Sequence, residues 1–233
     1  MPRSFVELLA LLILISFFCF VVVVYSLSKV TVVWSTNDPT RVVFACRKPP
    51  FNLNYSFSAA TNGTFFDTRT GYLASFVFYG NKRLGEFPVT QAKVRGGVIV
   101  LKSGEVLFGY FIIKNGKLLF GLKPFDGLEF FSSFAEFTHL AMTGGGLVLD
   151  NGIVHKNFWK VESLPKYIAE NKHFSFIALT KDKKLIGGVC HGLTPVQLAQ
   201  QKQDEWIFIL RLDGGSQTRS FKGRLIGNNA VGL

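Results

Sequence analysis

The sequence predicts an α+β fold, a sheet-rich single domain with few short helices, preceded by one N-terminal transmembrane helix. Three observations carry that expectation. Past residue 30 the apolar runs are short, rich in β-branched and aromatic residues, and broken by turn residues. Asn-Gly pairs separate several of these runs, as two-residue hairpin turns do. Only one stretch, around Thr194, combines a strong helix-start signal with an apolar side.

The first element differs in kind from the rest. Met1-Pro2-Arg3-Ser4 gives a short positive start, and Leu8 to Leu27 is apolar apart from Ser16, Tyr25 and Ser26. A run of about 20 such residues is long enough to cross a hydrocarbon core as a helix. It exceeds the roughly 7–15 residues usual in a signal peptide, and Tyr25-Ser26-Leu27-Ser28 is a poor cleavage site. Residues 1–28 are therefore expected to anchor the chain. Residues 29–233 form a domain in the periplasm or outside the cell, with a cleaved signal and a secreted domain as the alternative.

Val30 to Trp34 is a β-branched run, and Tyr55 to Thr61 a strand ending at Asn62-Gly63. Val98 to Leu101 and Val106 to Phe108 flank Lys102-Ser103-Gly104-Glu105. Phe111 to Lys114 and Lys117 to Phe120 flank Asn115-Gly116, which suits a type I′ turn with positive φ at both positions. Ser132 to His139 and Leu164 to Asn171 are weaker helix candidates. Leu147 to Leu149 and Ile153-Val154 flank Asp150-Asn151-Gly152. At the clearest helix, Thr194 acts as N-cap and Pro195 fits the first helical position.

Composition narrows the class. Hydrophobic residues make up 48% and charged residues 18%, which excludes a disordered chain and a polytopic membrane protein. Net charge is +11, so the surface suits anions. The basic residues are scattered as singles and pairs, which argues against a nucleic-acid partner. His139, His155, His173 and His191 stand apart in the sequence with no metal-ligand spacing, and neither metal nor cofactor is expected. Cys46 and Cys190 either pair or are buried as thiols.

Three glycine-marked turns each follow an apolar run: Ala60 to Asp67, Leu140 to Leu147, and Ile209 to Arg219. In the third, Asp213 is the first polar residue at a strand end, where a carboxylate can face a cleft. Gly214 and Gly215 permit close ligand approach, their amides with those of Ser216 and Gln217 can cradle an anion, and Arg219 supplies a phosphate-binding fork. The bland reading is an Asp-Gly turn with a polar edge. In the first turn, Asn62-Gly63 is either an ordinary turn or an amide for a sugar hydroxyl. In the second, Thr143-Gly144-Gly145-Gly146 is either a glycine loop or a row of amides lining a polar ligand. No Walker A loop or GxSxG elbow is present.

In this order the motifs resemble the phosphodiester glycosidase domain, from about residue 55 to 228. That family includes the enzyme that removes N-acetylglucosamine from mannose-6-phosphate tags and bacterial exported proteins described as exopolysaccharide-related. Its Asn-Gly-Gly-Phe-Phe signature looks like Asn62-Gly63-Thr64-Phe65-Phe66. Its Gly-Gly, strand and Asn-Gly turn resemble Gly144-Gly145-Gly146-Leu147 and Asn151-Gly152, and a later strand and Leu-Thr helix resemble Phe174 to Leu185 and Leu193 to Gln200. Its Asn-Leu-Asp-Gly-Gly-Gly-Ser resembles Arg211-Leu212-Asp213-Gly214-Gly215-Ser216. The chain departs from the pattern at Thr64 and Arg211, lacks one glycine before Ser216, has Ala178 for a family Gly, and replaces a family Arg near His173 and Phe174.

The resemblance implies hydrolysis of a sugar–phosphate diester in a phosphorylated glycan, without a cofactor. Asp213 is the expected catalytic carboxylate, with Glu136 a distant second candidate. Asn62, Gly63, Thr143, Gly144, Gly145, Gly214, Gly215, Ser216 and Arg219 are the expected substrate-binding residues. The runner-up is an anchored glycan- or phosphopolymer-binding module without turnover, and a third reading is an envelope assembly partner.

Overall fold

Short apolar runs become strands here, the central ones buried along nearly their whole length, and three antiparallel sheets collect them. A computed structural model describes residues 13–14, 29–46, 56–65, 73–85, 94–214, 220–224 and 229–233. The expected membrane segment lies outside the described residues apart from Ile13 and Leu14, and no helix of the described residues is long and apolar enough to cross a membrane.

The strands are β1 (Lys29–Thr36), β2 (Val43–Cys46), β3 (Ser56–Asn62), β4 (Val77–Tyr79), β5 (Lys82–Gly85), β6 (Val94–Leu101), β7 (Val106–Lys114), β8 (Lys117–Gly121) and β9 (Glu129–Phe130). They continue with β10 (Thr138–Thr143), β11 (Leu147–Asp150), β12 (Ile153–Val154), β13 (His173–Thr180), β14 (Leu185–His191), β15 (Trp206–Gly214), β16 (Ser220–Arg224) and β17 (Asn229–Gly232). The helices are α1 (Ser132–Ala135), α2 (Phe158–Val161), α3 (Lys166–Glu170) and α4 (Pro195–Lys202). A six-stranded sheet runs β1-β14-β13-β15-β11-β12, a seven-stranded sheet β5-β4-β10-β6-β7-β8-β9, and a four-stranded sheet β16-β3-β17-β2.

The turn chemistry explains the hairpins. Asn115 and Gly116 have φ of 51° and 71°, and Asn151 and Gly152 have 51° and 80°, so both Asn-Gly pairs supply the two positive φ values a type I′ connection needs. At α4 the Thr194 hydroxyl accepts from Gln197 N at 3.3 Å and the Gln197 side chain accepts from Thr194 N at 2.9 Å, a reciprocal cap. The helix expected over Ser132 to His139 is cut short. It ends at Ala135, and Thr138 starts β10, because the apolar run from Leu140 to Met142 is needed as a buried strand between β4 and β6.

Packing is layered. Trp34, Phe44, Val98, Leu147, Ile177, Leu210 and Val231 share one cluster that joins all three sheets. The other face of the six-stranded sheet carries Phe174, Phe176 and Ile209 against Phe158, Ile168 and Leu198 of the helices. A third cluster of Phe76, Phe111, Phe120 and Phe131 covers the outer face of the seven-stranded sheet, which accounts for much of the Phe content. Cys46 and Cys190 carry no disulfide and are both buried, the second of the two expected outcomes. Burial pushes the Cys190 thiol up to about 11.

Trp34 ties β1 to the four-stranded sheet. Its ring lies over Gly187, where a Cβ would stand 2.1 Å from the indole, and its Nε1 donates to Val231 O at 3.2 Å. Trp34→Ala is expected to cost about 3–5 kcal/mol in urea unfolding. Trp34→Phe, which keeps most of the ring but leaves Val231 O without its donor, is expected to cost about 1–3 kcal/mol.

Candidate active site

Strand polarity decides which chain segments meet. The ladders β1–β14, β14–β13, β13–β15 and β15–β11 are all antiparallel. The start of β1, the end of β14, the start of β13, the end of β15 and the start of β11 therefore share one rim of the six-stranded sheet. The three glycine-marked turns meet there through their backbones. Asp213 N donates to Gly63 O at 3.2 Å, Gly145 N to Arg211 O at 2.6 Å, and Arg211 N to Gly146 O at 2.9 Å.

Asp213 and Arg211 dominate the electrostatics of this junction. Asp213 is only partly exposed, and its Oδ1 accepts from Gly214 N at 2.7 Å. Burial pushes its carboxyl up to about 6, against the opposing pull of that hydrogen bond and of Arg211. Arg211 is 1% exposed. Its guanidinium lies 5.4 Å from the Phe65 ring centroid and 5.7 Å from that of Phe174. Nη1 donates to Leu212 O at 2.9 Å, whereas Nε has no hydrogen-bond partner among the described residues. Burial lowers this group to about 10, with Asp213 and Tyr167 pulling the other way. Burial thus outweighs the mutual attraction on both sides of the pair.

The glycines serve by being small. A Cβ on Gly145 would stand 2.4 Å from Arg211 Nη1 and 2.6 Å from the Phe65 ring, and one on Gly214 would stand 2.7 Å from Arg211 Nη2. The amide-donor role expected of the second turn is taken up by the fold for two of its glycines: Gly144 N bonds Gly96 O at 2.9 Å and Gly145 N bonds Arg211 O. Thr143 is buried, its hydroxyl accepting from Phe76 N at 3.1 Å and its carbonyl accepting from Thr64 Oγ1 at 2.6 Å. Gly63 passes beneath Asn229, whose Nδ2 donates to Thr64 O at 3.0 Å. Asn62, the last residue of β3, is half-buried beside this junction. Gly215, Ser216 and Arg219 lie outside the described residues. Glu136 is exposed and precedes β10, roughly 20 Å of strand away from Gly144.

Two features were not legible in the sequence. Glu162, just after α2, has no exposed surface. Its Oε2 accepts from Gly96 N at 2.6 Å and its Oε1 from Leu147 N at 2.8 Å, so one carboxyl clamps β6 of one sheet to β11 of another. Burial pushes it up to about 7, although both N–H bonds and Arg95 pull it down. Nothing in the local sequence separates this Glu from a solvated helical one. The second feature corrects an expectation: His173 and His191, apart in sequence, face each other with their Nδ1 atoms 3.0 Å apart. Among the described residues no three His, Cys, Asp or Glu gather as a metal site. Cavities of about 380 and 510 Å³ flank α1 and β9, and neither is lined by Asp213 or the glycine turns.

No protein-family model matches the chain, and no curated protein matches it. Solved structures do. The zebrafish N-acetylglucosamine-1-phosphodiester alpha-N-acetylglucosaminidase catalytic domain, auto-inhibited by its pro-peptide, superposes with a TM-score of 0.58 at 14% identity, covering 88% of this chain and 82% of that one. A hypothetical protein from Synechocystis gives a TM-score of 0.56 at 13% identity, covering 88% of this chain, which spans 61% of that structure's length. At these identities the likeness establishes a shared fold.

The raised carboxyls of Glu162, Asp213 and Asp150 make stability depend on pH. Glu162 holds its proton up to about 7 when folded, against an ordinary value of 4.5. The folded state therefore binds more protons than the unfolded state in that window, and stability falls as pH rises through it. The Glu162 contribution to this fall is about 2–4 kcal/mol between pH 4.5 and 7.5. Urea midpoints of the parent are expected to drop over this range. Those of Glu162→Gln should drop less, since the Glu162 share is gone while those of Asp213 and Asp150 remain; an equally steep drop in both proteins would contradict the assignment.

Proposed function

We propose that the chain is a hydrolase that cleaves a sugar–phosphate diester in a phosphorylated glycan, acting from a membrane anchor in the periplasm or outside the cell. One observation carries the reading: Asp213, a carboxylate with raised proton affinity, stands beside a buried arginine where the three glycine-marked turns meet. The likeness to a catalytic domain whose description names a phosphodiester-linked sugar supports the same substrate class.

The chemistry needs little more. A phosphate leaving group is a weak base and departs without a strong general acid, so the usual pair of carboxyls is not required. Asp213 acts as base or nucleophile at the anomeric carbon. In the base form it takes a proton from water, water oxygen bonds to carbon, and the glycosidic C–O bond breaks with its electron pair left on the phosphate. The products are a free sugar and a phosphomonoester. Arg211 stabilises the developing negative charge through its field, from behind the Gly145 and Gly214 backbones.

A second reading, a binding module on the same fold, is favoured by one specific observation: the Gly144 and Gly145 amides are already bonded within the protein. Turnover separates the two. A panel of sugar-1-phosphodiesters assayed with the full chain is expected to release free sugar. Because Asp213 is pushed up to about 6, kcat/KM is expected to rise with pH through that value. Asp213→Asn should lower the rate by about 100-fold or more with the melting curve retained. An Asp213→Asn protein that folds and turns over at parental speed would leave the binding module as the better reading. Protease treatment of intact cells, expected to remove the domain, tests the anchor and its orientation.

A further inference from the structure

We infer that Lys29, His191 and His173 form a subsite for a phosphate oxyanion, beside the rim position that carries Asp213. The inference deepens the proposed function, on which its catalytic role rests, by assigning where the phosphate of the substrate sits.

The placement follows from register. Lys29 is the direct partner of His191 in the β1–β14 ladder, and His191 is the direct partner of His173 in the β14–β13 ladder. Directly opposed residues of antiparallel strands project from the same face with Cβ atoms about 5 Å apart. The three basic side chains therefore form one row across three adjacent strands. The row leads to the candidate carboxylate: Phe174, next to His173, is the partner of Gly214, next to Asp213. Its face is set by period two along β13. Ile177 shares it with His173 and packs in the cluster of Trp34, Phe44 and Val231. That is the side on which β3 lies, and β3 leads into Gly63, which receives the Asp213 N–H.

The charges around the row call for an anion. Burial, His173 and Lys29, in that order, all push His191 down. Lys172 precedes His173 in the chain. Of the nearby carboxyls, Glu170 at the end of α3 pairs with Lys166 at 3.1 Å, and Asp213 on β15 is the one carried by the neighbouring strand. Among the described residues no carboxylate acts on His191. At 3.0 Å the two Nδ1 atoms share a single proton, one donating and the other accepting. A second proton cannot enter that contact unless an acceptor separates the rings. A phosphate oxygen accepting from both Nδ1–H groups does so, while another of its oxygens faces the Lys29 ammonium. Binding then favours the protonated form of His191, and by linkage phosphate binds more tightly as pH falls.

The test is a proton–carbon NMR titration of the histidine Cε1–H signals of the full chain, with inorganic phosphate and dimethyl phosphate as probes. Signals of His173 and His191 are expected to move saturably with either probe, and that of His191 to titrate about one pH unit higher in its presence, while the signals of His139 and His155 stay still. Phosphate affinity should be at least threefold greater at pH 5.5 than at pH 7.5. Lys29→Gln and His191→Gln should each weaken it by about 3- to 10-fold. Signals of His173 and His191 that move no more than those of His139 and His155 would overturn the subsite, as would a preference of this pair for zinc over phosphate. The outcomes separate from those of the proposed function. Imidazole shifts retained in Asp213→Asn, with no turnover by the parent, would sink the hydrolase and leave the subsite. Turnover by the parent with silent imidazoles would sink the subsite alone.

Discussion

The turn from Gly144 to Gly146 has to pass between two sheets with no room for side chains, and the rest of the site depends on that passage. A Cβ at Gly144 would stand 2.3 Å from Arg211 O, a backbone atom that cannot rotate away. Gly146 sits at φ 129°, a region open to glycine, with the Phe158 ring 2.2 Å from where a Cβ would be. Because the spacing is this close, backbone meets backbone. Gly144 bonds β6, while Gly145 and Gly146 exchange hydrogen bonds with Arg211 of β15. The turn therefore fixes the end of β15 against the seven-stranded sheet, and with it the height at which Asp213 reaches Gly63.

Two buried carboxyls flank this passage and show how surroundings divide their roles. Glu162 has its oxygens bonded to Gly96 N and Leu147 N, which leaves it holding two sheets together. Asp213 has a bond to its neighbour Gly214 and the Arg211 charge nearby, and it keeps partial access to solvent. A buried charge without its partner is costlier than the pair itself, so Arg211 and Asp213 depend on each other despite their shifted pKa values. Among the described residues the Nε of Arg211 has no hydrogen-bond partner, and that buried donor carries a desolvation cost.

The sequence made some of this legible, for physical reasons that can be named. Asn115-Gly116 and Asn151-Gly152 were readable because positive φ at two successive residues leaves few alternatives. Thr194-Pro195 was readable because a cap and a ring with fixed φ both point to a helix start. The three glycine-marked turns were legible one by one, but their backbone contacts with one another rest on strand register, which no single spacing shows. What the glycines do there was not foreseen. Whether a glycine amide faces a ligand or the backbone of the next strand depends on sheet packing, which no local pattern encodes. Thr138 and His139 were read as helix because the pull of β4 and β6 on β10 is tertiary. Glu162 and the His173–His191 pair escaped for the same reason. Their partners are 15 to 66 residues away for the Glu and 18 for the His pair, and only strand register brings them together.

That register gives the rim its chemical logic. Antiparallel order gathers the start of β1, the end of β14, the start of β13 and the end of β15, and each contributes a polar residue where its strand leaves the core. The groups so gathered titrate in complementary directions. Asp213 keeps its proton up to about 6, while His191 gives its proton up earlier than an isolated imidazole does. Above about 6 the carboxyl is then ionised, the form that the proposed base role needs. In the proposed subsite a bound phosphate would place negative charge near Asp213 and so raise the proton affinity of that carboxylate. Binding and basicity would then be coupled through one electrostatic field, without movement of the strands that carry the groups.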